Sequence, residues 1–415
     1  MTQRFTDVAC PICSCVCDDL TVESDGKRIV RVERACHLAE PWFLSQASNE
    51  KTSAWIDGKS TSLESAIEHA VVHLNEARAP LIYGLSQSST ESQRTAVALA
   101  ERLGATIDTT ASTGHAPSIM ALQQVGESTC TLGEVKQRAD LVIYWGCDPD
   151  RTHPRHRERY APSRDGRRFV FVCENEPIVR ENDFAIRIAL GDHWDSFAKL
   201  RLLVKGIEPK STVPELLRNL ASMMTDCRFG VVFFGPELTV GPMPHRTVEA
   251  LLQLVTELND GRRFYARRMR RAGDVAGADS VLAWQTGYPF GVEFSRGYPR
   301  YNPGEFTGPD RLARGEVDAC LHIGGSTAND FPPAARDHLA RIPTIVLDSP
   351  GLPPPFQPTV RISTAVYGIH RTGTAYRMDE VPIPLQPILP TALPSDRAVL
   401  EAILTGIKAS EGELS

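Results

Sequence analysis

Apolar and polar positions alternate along this chain in three different ways. Residues 6–51 hold short stretches, Leu20-Thr-Val-Glu and Arg28-Ile-Val-Arg-Val, whose two-residue period predicts a small antiparallel hairpin. From about Ser62 helical stretches alternate with short apolar runs: Pro80-Leu-Ile-Tyr-Gly, a helix from Glu91, Ala139-Asp-Leu-Val-Ile-Tyr-Trp-Gly and Arg168-Phe-Val-Phe-Val. Apolar runs of this kind between helices are the mark of parallel strands buried on both faces. A second series follows, with Phe229-Gly-Val-Val-Phe-Phe-Gly, a helix through Val248 to Leu258, Asp318-Ala-Cys-Leu-His-Ile-Gly-Gly and Ile342-Pro-Thr-Ile-Val-Leu-Asp. Past Asp348 the chain is proline-rich, then strand-like, and ends in a helix near Ala398 to Lys408.

The pattern predicts an α/β fold of several doubly wound parallel-sheet units behind a small cysteine-rich N-terminal cap. Four segments are expected: the cap at 1–51, a first α/β domain at 52–225, a second at 226–350 and a C-terminal segment at 351–415. With 415 residues, 42% of them hydrophobic, the chain can bury sizeable cores. Its 45 basic against 51 acidic residues argue against nucleic acid or a membrane surface as the main partner. Met1 to Cys10 holds one arginine and no apolar core segment, and no run of about 18 apolar residues occurs. A cytoplasmic location is therefore expected, and there ten cysteines are free thiols or metal ligands rather than disulfides.

Three constellations carry candidate chemistry. Cys10, Cys13 and Cys17 follow a C-x2-C-x3-C spacing, with Cys36 able to supply a fourth ligand across the hairpin. The set fits a four-iron cluster and tetrahedral zinc almost equally, and packing cysteines are the plain alternative. Cys15 reads as a bystander. Tyr144-Trp-Gly-Cys-Asp-Pro-Asp-Arg-Thr-His-Pro stands at the carboxyl end of a buried strand, where open α/β sheets bind ligands, although an ordinary strand-to-loop turn looks the same. Trp284 to Glu305 is too dense in glycine, proline and aromatics for a regular helix or strand. It is an ordered loop in which Arg296 and Arg300 either grip an anion or sit at a subunit contact.

These pieces, in this order, resemble the B subunit of formylmethanofuran dehydrogenase, a family of the molybdopterin oxidoreductase superfamily. The likeness covers nearly the whole chain. It is strongest at Pro117-Ser-Ile-Met-Ala-Leu-Gln, Cys130-Thr-Leu-Gly-Glu-Val-Lys-Gln-Arg-Ala-Asp, Trp145-Gly-Cys-Asp-Pro, His153-Pro-Arg-His, Ser295-Arg-Gly-Tyr-Pro-Arg-Tyr-Asn-Pro-Gly-Glu and Gly373-Thr-Ala-Tyr-Arg-Met-Asp. The resemblance implies a tungsten or molybdenum bis-pterin centre that reduces carbon dioxide to formate, its metal held by the cysteine of a Cys-His-Gly-Pro sequence.

At the matching place this chain reads Gly114-His115-Ala116-Pro117. Glycine offers no thiolate, so the protein-to-metal bond of the family cannot form there. His115 and Arg296 match the family's active-site histidine and arginine, here vestigial, with Arg300 as the other arginine candidate. Gly146, Asp148, Pro149, His153, Gly324 and Gly325 match pterin-contact positions. Two of these regions depart from the family: Asp148 stands where asparagine is common, and no aspartate-proline turn follows Gly325-Ser326. A carboxylate facing a pyrophosphate repels it unless neutralised.

One branch of the family shares these traits, the formyltransferase/hydrolase complex of bacteria that oxidise formaldehyde through tetrahydromethanopterin. The resemblance then implies a redox-inactive B-type chain accompanied by A and C subunits and a formyltransferase, with a methanofuran-type carrier nearby. The molybdopterin or tungstopterin is expected to be lost, and Cys10, Cys13, Cys17 and Cys36 are 4Fe-4S-type positions, with zinc or an empty site as the alternatives. The competing expectation is an active molybdenum or tungsten formylmethanofuran dehydrogenase subunit.

Overall fold

A computed structural model describes residues 2–49, 51, 53–270, 272–351 and 353–412. The chain folds as two compact units, one of Met1–Thr113 with Arg271–Ser415 and one of Gly114–Arg270. These do not follow the four segments read from the sequence. A boundary at 225/226 cuts through the second unit, because strand Phe229–Phe234 lies between Leu141–Trp145 and Arg263–Arg268 in one sheet. Likewise Ala319–Ile323 lies beside Pro80–Gly84 in the first unit. Apolar periodicity identifies each strand but carries no information about its neighbour, and both units are completed by chain that returns from far along the sequence.

The first unit is built on a nine-stranded sheet. Its five central strands, in the order Thr106–Thr109, Pro80–Gly84, Ala319–Ile323, Thr344–Asp348 and Val360–Ser363, are all parallel. Val292–Glu293 with Arg300–Tyr301 extends one edge antiparallel, and Ala54–Ile56 with Lys59–Thr61 the other. Ile82, Ile107, Leu321, Ile345 and Ile362 meet helices Leu63–Glu76, Thr90–Leu103 and Val275–Thr286 in a continuous apolar core. The cap is a separate three-stranded antiparallel sheet of Gln3–Val8, Leu20–Ser24 and Ile29–Glu33, one strand more than the expected hairpin.

The second unit is a five-stranded, fully parallel sheet in the order Phe184–Arg187, Arg168–Cys173, Leu141–Trp145, Phe229–Phe234 and Arg263–Arg268. Every residue of Leu141–Trp145 and of Phe229–Phe234 is buried, as strands covered on both faces require. Helices Glu215–Asp226 and Pro244–Leu258 cover it with leucine-rich faces. Among the described residues no helix is long and apolar enough to cross a membrane.

The aromatic stretch from Trp284 to Glu305 is not only loop. Two-residue strands at Val292–Glu293 and Arg300–Tyr301 pair with each other, and the first pairs with Thr106–Thr109. Gly287, Gly291, Gly297 and Gly304 all have positive φ, the backbone freedom that lets the segment turn between such short strands.

Candidate functional site

In an open parallel sheet, ligands bind outside the carboxyl ends of the strands where successive connections diverge. In the first unit that place lies between Pro80–Gly84, which leads on to Thr106–Thr109, and Ala319–Ile323, which leads to Thr344–Asp348 on the other side. In the second it lies between Leu141–Trp145 and Phe229–Phe234. Gly324 and Gly325 follow the first pair, and Gly146, Asp148 and Pro149 the second. The pterin-type positions read from sequence thus fall at the divergence point of each sheet.

Local chemistry explains each. Gly146 has φ +64°, and a Cβ there would come within 2.7 Å of Leu238 and 2.9 Å of Glu237. Pro149 opens the short helix Pro149–Thr152, whose first turn Asp148 caps by accepting from the Asp150 N–H at 3.0 Å. The other oxygen of Asp148 accepts from the Ile178 N–H at 2.9 Å and lies 3.1 Å from Arg151 Nε. Both oxygens of Asp148 therefore hold backbone N–H groups, and Arg151 supplies the neutralising charge without which this carboxylate would repel a pyrophosphate.

Gly324 is left-handed, and a Cβ on it would meet Gln87 at 2.8 Å. In place of an aspartate-proline turn, Gly325–Asp330 forms a 3-10 turn, held by Asp348 from the end of the neighbouring strand. Asp348 accepts from the Gly325 N–H at 2.7 Å. Burial pushes its carboxyl up to about 6 against that hydrogen bond and Arg361.

Sequence reading missed the facing halves of both places: Ser86-Gln87-Ser88 beside Gly324, and Gly235-Pro236-Glu237 beside Gly146. The signals were present. Ser86 to Thr90 is a serine run between a strand and the helix Thr90–Leu103, and Gly235-Pro236 ends an apolar run.

His115 sits in the first turns of helix Ser112–Val125. It is buried, with Nδ1 3.0 Å from Arg270 Nη1. Arg268 donates to the Gly114 carbonyl and to the Ser118 hydroxyl. The Ser112 hydroxyl, just before this turn, donates to Asp108 at 2.8 Å. His115 and Arg296 belong to different units. Arg296 is exposed. Arg300 is not free for an anion: it binds the Glu293 carboxylate, with Nε at 2.8 Å, and stacks on Phe306 at 4.9 Å.

His153 is buried, and its Nε2 lies 2.9 Å from the Arg270 carbonyl. A carbonyl only accepts, so Nε2 carries the proton. Burial takes this imidazole down to about 4, and it stays neutral at physiological pH.

Cys10, Cys13 and Cys17 sit on a tight loop closed by a Cys10 N–H to Cys17 carbonyl bond of 2.8 Å and a Val16 N–H to Cys13 carbonyl bond of 3.1 Å. Val16 at φ +38° is a costly backbone for a β-branched residue. Cys36 precedes helix Ala39–Leu44, its carbonyl accepting from the Ala39 and Glu40 N–H groups. Burial pushes the Cys10 thiol well up, and the thiols of Cys13, Cys17 and Cys36 raise it further. All four therefore share one electrostatic neighbourhood, which fits a thiolate-held group. Among the described residues no three His, Cys, Asp or Glu side chains converge closely enough for a single metal ion. A four-iron cluster, which takes one thiolate at each of four irons, needs no such convergence. Cys15 lies beside Cys13: a hydrogen bond between the two holds Cys13 below the ordinary thiol range, while burial raises Cys15 itself.

No family model matches the chain. It is 36% identical to the B subunit of the tungsten-containing formylmethanofuran dehydrogenase 2 of Methanocaldococcus jannaschii, across 98% of this chain and 99% of that protein. The chain belongs to the family of formylmethanofuran dehydrogenase B subunits. It is also 28% identical to the B subunit of the formyltransferase/hydrolase complex of Methylorubrum extorquens, over 66% of this chain and 75% of that one. A chain in the crystal structure of that bacterium's formyltransferase/hydrolase complex with methylofuran superimposes with a TM-score of 0.74 at 25% identity. The match covers 88% of this chain and all of the other.

Proposed function

We propose that this chain is the B subunit of a formyltransferase/hydrolase complex in tetrahydromethanopterin- and methanofuran-linked oxidation of formaldehyde to formate, and that it does no redox chemistry itself. Gly114 carries this reading. In the family pattern a cysteine thiolate holds the tungsten or molybdenum; position 114 has no side chain, and of the neighbouring oxygen donors the Ser112 hydroxyl is engaged by Asp108 and the Gly114 carbonyl by Arg268. The protein works in the cytoplasm beside A and C subunits and a formyltransferase, with a furan carrier in reach. Its own residues position and bind: His115 by hydrogen bonding, the cap by holding a 4Fe-4S cluster. That cluster supplies electron transfer or structural cross-linking when bound.

The second reading, an active tungsten or molybdenum dehydrogenase, draws on the higher identity to the tungsten-containing relative. Metal analysis of the purified complex decides between them. Absence of stoichiometric tungsten and molybdenum is expected, and a full equivalent of either with extractable pterin overturns the proposal.

Iron analysis tests the cap. Anaerobically purified protein should contain about four irons per chain. Cys13→Ala should abolish this, and Cys15→Ala should keep the iron. Equal loss in both variants would make Cys15 a ligand.

The aromatic segment offers the contact to partners. Tyr298 is 54% exposed, whereas Tyr301 stacks on Tyr288 at 5.0 Å and belongs to a strand. Tyr298→Ala should weaken assembly with the A-type partner by about 2 kcal/mol if it is an interface anchor, without changing the thermal midpoint. Tyr301→Ala should instead lower the stability of the isolated chain by about 1–3 kcal/mol. Co-purification of Tyr298→Ala at native yield removes this segment from the interface.

A further inference from the structure

Arg268 and Arg270, two residues apart at the end of strand Arg263–Arg268, reach the same turns of helix Ser112–Val125. The 3.0 Å approach of Arg270 Nη1 to His115 Nδ1 has one chemical meaning. A guanidinium has five N–H donors, no acceptor, and keeps its charge at any working pH. The imidazole nitrogen facing it must therefore present its lone pair. Neutral histidine with a bare Nδ1 carries its proton on Nε2, and an imidazolium would set N–H against N–H and cation against cation.

Arg270 is itself placed from behind. Its carbonyl accepts from His153 Nε2 at 2.9 Å, and the His153 Nδ1 stands 2.8 Å from the Thr152 hydroxyl. A chain of contacts thus runs from the short helix at the divergence point of this sheet, through His153 and Arg270, to His115. Three of the residues singled out above fall into one arrangement within a single unit, and His153 acquires a role that needs no pterin contact.

We propose that Arg270 is a positioning residue that fixes His115 as the neutral Nε2–H tautomer, with His153 holding Arg270 in place. His115 then offers a ligand a hydrogen-bond donor, suited to an acceptor oxygen such as a formyl carbonyl or a formate carboxylate, and it is no proton acceptor at Nε2. The link to a formyl group rests on the family-matched reading of His115. The tautomer does not.

Nitrogen-15 NMR of the full chain labelled at histidine reads the two ring nitrogens directly, with His115 assigned by loss of its signals in His115→Gln. At pH 7 the native protein should show His115 wholly as the Nε2–H form. Arg270→Lys, which still donates, should keep it, and Arg270→Met should convert it to a mixture of tautomers or to the charged form. The His153 signals, set by the Arg270 carbonyl that every variant retains, should stay in place and report an intact unit. If Arg270→Met unfolds that unit, the native spectrum alone decides. His115 in the Nδ1–H or charged form in the native protein, or an unchanged His115 in a folded Arg270→Met variant, overturns the proposal. Tungsten in the purified complex would overturn the redox-inactive reading and leave this tautomer standing, so the two failures are distinguishable.

Discussion

Formate added to the purified protein with a viologen acceptor should give no dye reduction above buffer, in the isolated chain and in its complex alike. The family's chemistry passes through one metal-to-sulfur bond, and position 114 has no side chain to make it. Two neighbouring donors are already engaged. The Ser112 hydroxyl is spent on Asp108, the Gly114 carbonyl on Arg268, and Arg270 adds a second fixed cation at the next residue. The loss is expected to be complete rather than partial, since the bond is made or it is not. Gly114→Cys alone should not start the activity, because the turn after Gly325 would still be Gly325–Asp330 held by Asp348 in place of the family's aspartate-proline turn, and one reverted residue does not rebuild a pterin site. Viologen reduction that rises with formate and tracks tungsten content would sink this reading.

How much of this the sequence disclosed depends on the range over which each feature is encoded. Strands such as Leu141–Trp145 and Phe229–Phe234 were legible because burial on both faces leaves a local apolar run. Their pairing was not, since Leu141 and Gly230 meet through contacts that no local pattern records. The same limit applies to the site. Gly114, Asp148 and the four cap cysteines were visible as residue types, but Asp148 as a satisfied cap and Arg270 as the partner of His115 depend on chain 30 and 155 positions away. Arg300 misled for a related reason: an arginine in an aromatic loop reads as a hand for an anion until its own strand partner, Glu293, is seen to fill it.

Stability of the first unit should fall steadily as pH rises from about 5 to 8, and Asp274 should account for a large part of the slope. Asp274 caps helix Val275–Thr286 and accepts from the Gly277 N–H at 3.0 Å, the Tyr376 N–H at 2.8 Å and Gln93 Nε2 at 3.2 Å. Burial nonetheless outweighs these bonds and pushes its carboxyl up to about 8. Asp108, fully enclosed and bound by the Gly291 and Gly308 N–H groups, is pushed by burial up to about 7. An unfolded aspartate ionises at about 3.9. Below that value both states are protonated and the contribution of each group is fully present. Above it the folded state holds a proton that the unfolded state has released, so stability is lost at about 1.4 kcal/mol per pH unit for each group until its folded value is passed. Asp274→Asn keeps an acceptor for the two backbone N–H groups and removes the titration, at the cost of the bond from Gln93, about 1 kcal/mol. The variant should therefore be less stable than the native chain at pH 5, with a shallower decline, and the two curves of urea midpoint against pH should cross before pH 8. Parallel curves would show that Asp274 is ionised throughout, held by its three donors against burial.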